Sequence, residues 1–178
     1  MKLSYLFLTV MFMAISSHAD ERVSVLMVTS EGEIEIEIEL YTSHALITAG
    51  NFLRLVDDGD MNGGSFYRVV SYENDNGALK IEAIQGGRGD KLEGVFDRID
   101  HESTEQIGIL HTDGVISMVR GGVGTASSEF FNCIGDQPGL DHGQARNADG
   151  QGFVAFGKVT RGMDVVRAIQ GLPADRNS

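Results

Sequence analysis

The run Gly64-Ser65-Phe66-Tyr67-Arg68-Val69-Val70 (GSFYRVV) places a permanently charged guanidinium inside an apolar, β-prone stretch. Successive side chains of a strand alternate between its faces. Phe66, Arg68 and Val70 are therefore expected on one face, with Tyr67 and Val69 on the other. Arg68 then admits two readings. It is an edge-strand residue whose head reaches water, or it is a guanidinium held in an apolar groove for chemistry, because burying a charge without a partner is costly. The run Ser128 to Ile134 (SEFFNCI) carries a similar signal. Glu129, Phe131 and Cys133 alternate with Phe130, Asn132 and Ile134, so Phe131 can face a groove while Phe130 packs inside; alternatively both phenylalanines are core.

Other reactive side chains lack the spacing their chemistry needs. His44, His101, His111 and His142 are scattered without close metal-ligand intervals. Ser127, Ser128, Asp141 and His142 hold the residue types of a hydrolase but no nucleophile elbow. Gly121-Gly122 sits in neither a Rossmann nor a P-loop frame and reads as a turn. Cys133, the single cysteine, cannot form an internal disulfide and reads as a small buried hydrophobe. No metal or cofactor is expected from these patterns.

The elements that must position Arg68 are mostly strands. Ahead of them, Met1-Lys2, the apolar Leu3 to Ile15 and Ser17-His18-Ala19 predict a secretory signal peptide over 1–19, leaving one domain over 20–178. The apolar stretch falls short of the roughly 20 residues of a spanning helix. Removing 1–19 takes away only Lys2 among the charged groups, leaving 13 Lys and Arg against 26 Asp and Glu, a net −13. That charge disfavours nucleic acid and anionic membranes as partners. A 42% hydrophobic content with two prolines supplies a core and argues against disorder.

Arg22 to Thr29 reads as a strand, Glu31-Gly32 as a turn, and Glu33 to Leu40 (EIEIEIEL) as a strand with one wet face. Ser43 is the expected N-cap of a helix over 44–58, with Leu46, Ala49, Leu53 and Val56 as its apolar stripe, widened by Phe52, and Gly59 as its stop. After GSFYRVV come a polar insertion over Ser71 to Gly77, a short apolar run over Ile81 to Gln85, and a loop over Gly87 to Asp113. Gly114 to Val119, Ser128 to Ile134 and Phe153 to Val159 read as strands, and Met163 to Gln170 as a helix closed by Gly171. Many antiparallel strands with two helices fit a mainly β fold, a closed barrel with capped ends.

Four blocks in order, GSFYRVV, Ile84-Gln85-Gly86-Gly87, TASSEFFNCIGDQPGLDHGQ from Thr125 to Gln144, and FVAFGKVTRGMDVV from Phe153 to Val166, resemble the cyclophilin family of peptidyl-prolyl cis-trans isomerases. The similarity runs from about Ser24 to Ile169. It implies a closed eight-stranded antiparallel β-barrel capped by two α-helices, with a substrate groove on the outside. Arg68 matches the catalytic arginine, and Gln85 the glutamine that orients it and contacts the substrate backbone. Phe131 and Leu140 match walls of the proline pocket, and Val119 and Arg120 match the groove floor, meeting peptide through main chain. Phe66, on the expected face of Arg68, joins the substrate-binding set.

The chain also departs from the family pattern. Glu82 stands where a phenylalanine is usual, Ala83 for a methionine, Phe153 for a histidine, Gly139 for a tryptophan, Leu46 for a helix proline and Glu129 for a glutamine. Glu82 and Glu129 are candidate ion-pair partners of Arg68; the alternative for Glu82 is that the insertion shifts the register and turns it away. The resemblance implies an isomerase of Xaa-Pro bonds, without cofactor or metal, that acts on proline-containing flexible polypeptides; with the signal peptide added, the expectation is a monomer serving the folding of exported proteins, in the periplasm or outside the cell. The competing expectation is a proline-peptide binding module or chaperone with little turnover, favoured by Glu82 and Gly139.

Overall fold

The computed structural model describes residues 23–30, 35–89 and 95–172. The expected signal peptide, the Glu31-Gly32 turn and the first residues of EIEIEIEL lie outside the described residues. Seven strands form one antiparallel sheet: β1 (Val23–Met27), β2 (Ile36–Leu40), β3 (Ser65–Val70), β4 (Ala83–Gly87), β5 (Val115–Met118), β6 (Phe130–Cys133) and β7 (Ala155–Arg161), in the spatial order β1-β2-β7-β5-β6-β4-β3. In β2 the alternation works as written, with Ile36, Ile38 and Leu40 buried and Glu37 and Glu39 half-buried. Val25 opposite Ile38 sets the β1–β2 register.

The sheet curls around a single interior, because every strand contributes to the same core: Val25, Ile38, Val69, Ile84, Ile116, Phe130 and Phe156 all pack there. Its two end strands come near each other, since Val25 and Met27 of β1 and Ser65 and Phe66 of β3 line one cleft of about 640 Å³. Seven strands are described where eight were expected, and no β1–β3 ladder is present among the described residues. The architecture is the expected mainly β antiparallel fold with two main helices packed against its core.

Helix α1 (Leu46–Asp57) turns Thr48, Ala49, Phe52 and Leu55 into the core. The expected stripe is thus rotated: Leu46 is 67% exposed, and Leu53 and Val56 are only half-buried. Phe52 sets this rotation, with its ring 5.6 Å from Phe130 and 5.1 Å from Phe156. Ser43 is not the cap. Ala45 occupies the N-cap position without a capping side chain, and Glu102, 54 residues further along, accepts from Thr48 N–H at 2.9 Å, Thr48 hydroxyl at 2.8 Å and Ile47 N–H at 3.1 Å. A carboxylate there satisfies orphan N–H groups and the helix dipole together.

Helix α2 (Thr104–Ile107) interrupts the stretch expected to be loop. Ser103 and Gln106 form a reciprocal capping box and Gly108, at φ 73°, ends the turn. Helix α3 (Met163–Gln170) buries Val165, Val166 and Ile169 against the core.

Candidate active site

A β-bulge creates the site. Phe66 pairs with Gly86 and Arg68 with Gln85, so Tyr67 is an extra residue in β3. Alternation breaks there. Phe66 faces inward, its ring 5.9 Å from that of Phe130, and Val69 joins it in the core, while Arg68 is exposed and Val70 packs in a second, outer cluster. The expectation that Phe66 shares a groove face with Arg68 is corrected for this reason: the bulge puts Phe66 in the barrel interior.

Pairing across the sheet then aligns the outer face. Arg68 lies opposite Gln85, Gln85 opposite Phe131, and Phe131 opposite Ser117. Directly opposed residues share a face, and strands lie about 4.8 Å apart, so Arg68, Gln85 and Phe131 are neighbours in one row. The adjacent outer row is Val70, Ala83 and Cys133.

A directed hydrogen-bond chain fixes the polar end of that row. Arg68 Nη1 donates to Gln85 Oε1 at 3.2 Å, Gln85 Nε2 donates to the Tyr67 hydroxyl at 2.8 Å, and that hydroxyl donates to Glu129 Oε2 at 2.7 Å. The other Glu129 oxygen accepts from the N–H groups of Arg88 at 2.9 Å and Gly89 at 3.2 Å. Glu129 therefore makes no ion pair with Arg68. It acts on Arg68 from three hydrogen bonds away, by orienting Tyr67 and hence the Gln85 amide. Gly87, at φ 143°, must lack a side chain, because a Cβ there would run into the Glu129 carboxylate.

The apolar end is a cluster of Val70, Ile81, Ala83, Phe131, Cys133 and Leu140, with Val119 and Phe153 packed against it. Phe153 meets Phe131 edge to face at 5.3 Å. Arg120 holds Phe153 from behind: its guanidinium lies 5.3 Å from the ring centroid, pairs bidentately with Asp149 at 2.7 and 2.9 Å, and donates through Nε to Gly152 O at 2.8 Å. The Arg120 side chain is 1% exposed. This pairing holds the Asp149 carboxyl well below the usual range. His111 stacks beneath Phe131 at 6.2 Å. Its Nδ1 lies 2.7 Å from Asp141 Oδ1 and its Nε2 3.0 Å from Ser117 Oγ, which donates its own proton to Val154 O at 2.7 Å. Burial, with the charges of Asp141, Asp113 and Asp136, pushes the Cys133 thiol far up, so this side chain is a wall and not a nucleophile.

Glu82 is turned away. Ile81 and Ala83 on either side both belong to the outer cluster, which sends the intervening side chain to the opposite side, and Glu82 makes no ion pair with Arg68. Its carbonyl accepts from Ile134 N–H at 3.0 Å.

The structure thus brings Arg68, Gln85, Ala83, Val119, Glu129, Phe131, Leu140 and Phe153 to one face, and leaves Phe66, Glu82 and the Arg120 head off it. Sequence reasoning missed Tyr67, because strict alternation hid it on the far face. It missed the His111, Asp141 and Ser117 support too, because those residues meet only after folding.

Comparison with known proteins accords with this geometry. Residues 24–178 match the family described as cyclophilin type peptidyl-prolyl cis-trans isomerase/CLD. A peptidyl-prolyl cis-trans isomerase of Acinetobacter baylyi is 35% identical over 163 residues, covering 89% of this chain and 78% of that protein. Peptidyl-prolyl cis-trans isomerase-like 1 of Rhizopus delemar is 33% identical, covering 88% and 86%, and peptidyl-prolyl cis-trans isomerase A of Dickeya dadantii is 31% identical, covering 85% and 73%. The fold is similar to the crystal structure of a Cryptosporidium parvum cyclophilin type isomerase, with a TM-score of 0.66 at 22% identity over 87% of this chain and 88% of that one. The match over nearly all of the described sheet, together with these relatives, shows that the chain belongs to the cyclophilin-type peptidyl-prolyl cis-trans isomerases.

Proposed function

We propose that this isomerase turns Xaa-Pro bonds in the outer groove, with Arg68 as its catalytic residue, Gln85 as its orienting partner and the Phe131 cluster as its proline pocket. The row Arg68, Gln85, Phe131 carries this reading. Rotation about an amide must break its resonance, at a barrier of about 18–20 kcal/mol. As the bond twists, the prolyl nitrogen recovers a lone pair that can accept a hydrogen bond. Arg68 uses one N–H on Gln85 and has no other protein partner among the described residues, so its remaining donors are available to that nitrogen or a neighbouring carbonyl. Apolar walls exclude water around such a bond, which strengthens it. No covalent step is needed.

The low-turnover binding module loses one of its two supports, because Glu82 is not paired with Arg68. A protease-coupled assay of residues 20–178 on a short Xaa-Pro peptide tests the enzyme reading: catalysis above the uncatalysed rate is expected, and peptide binding without acceleration would overturn it.

The clients we propose are flexible proline-containing segments of exported proteins, met in the periplasm or beyond it. The support is the sequence pattern of residues 1–19 and the acidic charge of residues 20–178; among the described residues no helix is long and apolar enough to cross a membrane. Mass analysis of the exported product should find Asp20 at the N-terminus, and a membrane-bound product retaining 1–19 would overturn the assignment.

A further inference from the structure

Part of the outer pocket is supplied by segments outside the strands, and one of them is an insertion. Segment 71–80 leaves β3, carries no strand or helix of its own, and returns at Ile81, a pocket residue. It is held at three points. Asn74 Oδ1 accepts from Ser71 N–H at 2.8 Å while its Nδ2 donates to Val69 O at 3.0 Å. Asp75, buried, accepts from Gly77 N–H at 3.0 Å, Ile81 N–H at 2.8 Å and Arg146 Nη1 at 2.6 Å. That same Nη1 donates to Leu79 O at 2.7 Å. The Arg146 and Asp75 side chains are 14% and 2% exposed, so this ion pair ties the insertion to the loop over 141–151 in a nearly dry setting.

The result of the clamp is the placement of Leu79. A Cβ on Gly139 would meet Leu79 Cβ at 3.3 Å and Cδ1 at 3.5 Å, so the leucine covers the backbone just before Leu140, a buried pocket wall. Yet Leu79 remains 37% exposed. An aliphatic side chain fixed in place at a pocket rim offers contact area at little ordering cost on binding.

We propose that Leu79 is a specificity-determining residue, forming over Gly139 a subsite for an apolar side chain next in sequence to the bound proline, and that Asp75 and Arg146 are positioning residues that set it there. This rests on the isomerase reading of the groove. An apolar neighbour of the proline gains a buried contact with Leu79, whereas a charged neighbour must shed water without a partner.

The test is a panel of Xaa-Pro-Yaa peptides carrying Leu, Ala or Glu at the two positions flanking proline. Wild type should prefer Leu over Glu at one of them by about tenfold in kcat/KM, the scale of one apolar contact. In Leu79→Ser that ratio should collapse to about two, the loss falling in KM for the Leu peptide. Arg146→Gln and Asp75→Asn should reproduce the same lost selectivity. Retained preference in Leu79→Ser, or a loss equal across all peptides, would overturn the subsite. Calorimetric binding of the same peptides reads the preference without turnover, so an inactive wild type would count against the isomerase reading while the Leu79 comparison still stands or falls by itself.

Discussion

Arg68 and Gln85 face each other across β3 and β4, and the 3.2 Å bond between them ends a chain that begins at the backbone of Arg88 and Gly89. The guanidinium is thus aimed by a relay through Glu129, Tyr67 and Gln85, while no carboxylate among the described residues pairs with its charge at the groove. This permits a sharp mutational test. Arg68→Ala should lower kcat/KM by about 10² to 10³, the loss expected when one preorganised transition-state donor is removed. Arg68→Lys should also be poor, because an ammonium lacks the planar fork. Circular dichroism should show both variants folded; near-normal isomerisation by folded Arg68→Ala would defeat the mechanism.

Tyr67→Phe removes the hydroxyl that links Gln85 to Glu129. Two bonds go with it, but only the neutral one from Gln85 aims the guanidinium; a bond of that kind is worth about 1 kcal/mol, so kcat/KM should fall by roughly fivefold, mainly in kcat. In an Arg68→Ala background the same change should have almost no effect on rate, since there is nothing left to aim. Additive effects in this double-mutant cycle would mean that the relay serves structure alone.

Asp75 makes acid stability measurable. Burial acts to raise its pKa, but the hydrogen bonds from Arg146, Gly77 and Ile81 and the Arg146 charge outweigh it, lowering the value from 3.8 to about 2. A depressed carboxyl stabilises the fold above its unfolded pKa, and that contribution drains away as pH falls from about 5 to about 2; it amounts to roughly 2 kcal/mol. Urea titrations of wild type and Asp75→Asn should therefore differ at pH 7 and converge near pH 2. A difference independent of pH would exclude the ion pair as its source.

Cys133 should resist alkylation in the folded state. Its thiol is walled in by the outer cluster and its pKa is raised by burial and nearby carboxylates, so thiolate is scarce at neutral pH. Iodoacetamide should label it only after unfolding, and rapid labelling of native protein would show that the pocket wall opens.

Patterns local to the chain are legible in the sequence: EIEIEIEL dictates β2, SEFFNCI separates Phe131 from Phe130, and Met163 to Gln170 forms the expected helix. Ser103 and Gln106 with Gly108 are a readable helix signal as well. The failures share one cause, which is that long-range packing overrides local preference. A bulge adds one residue and reverses every later side chain, so simple alternation puts Phe66 on the wrong face. The rotation of α1 answers to Phe130 and Phe156, which its own sequence does not contain. Among site residues, Arg68, Gln85 and Phe131 are marked by family resemblance, whereas Tyr67, Asp75 and Arg146 take their positions from contacts that no local window holds.

The capping of α1 by Glu102 bears on the order in which the chain becomes structured. The first turn of this helix cannot finish its hydrogen bonding from neighbouring residues; it waits for a carboxylate 54 residues downstream. During synthesis, α1 can be complete only after the chain has emerged well beyond β4, and in the finished protein the helix start and the 101–107 segment should open together as one cooperative unit. Amide exchange at Ile47 and Thr48 should then track exchange at Gln106 and Ile107, despite their separation in sequence, and Glu102→Ala should uncouple the two while costing about 1 kcal/mol of stability.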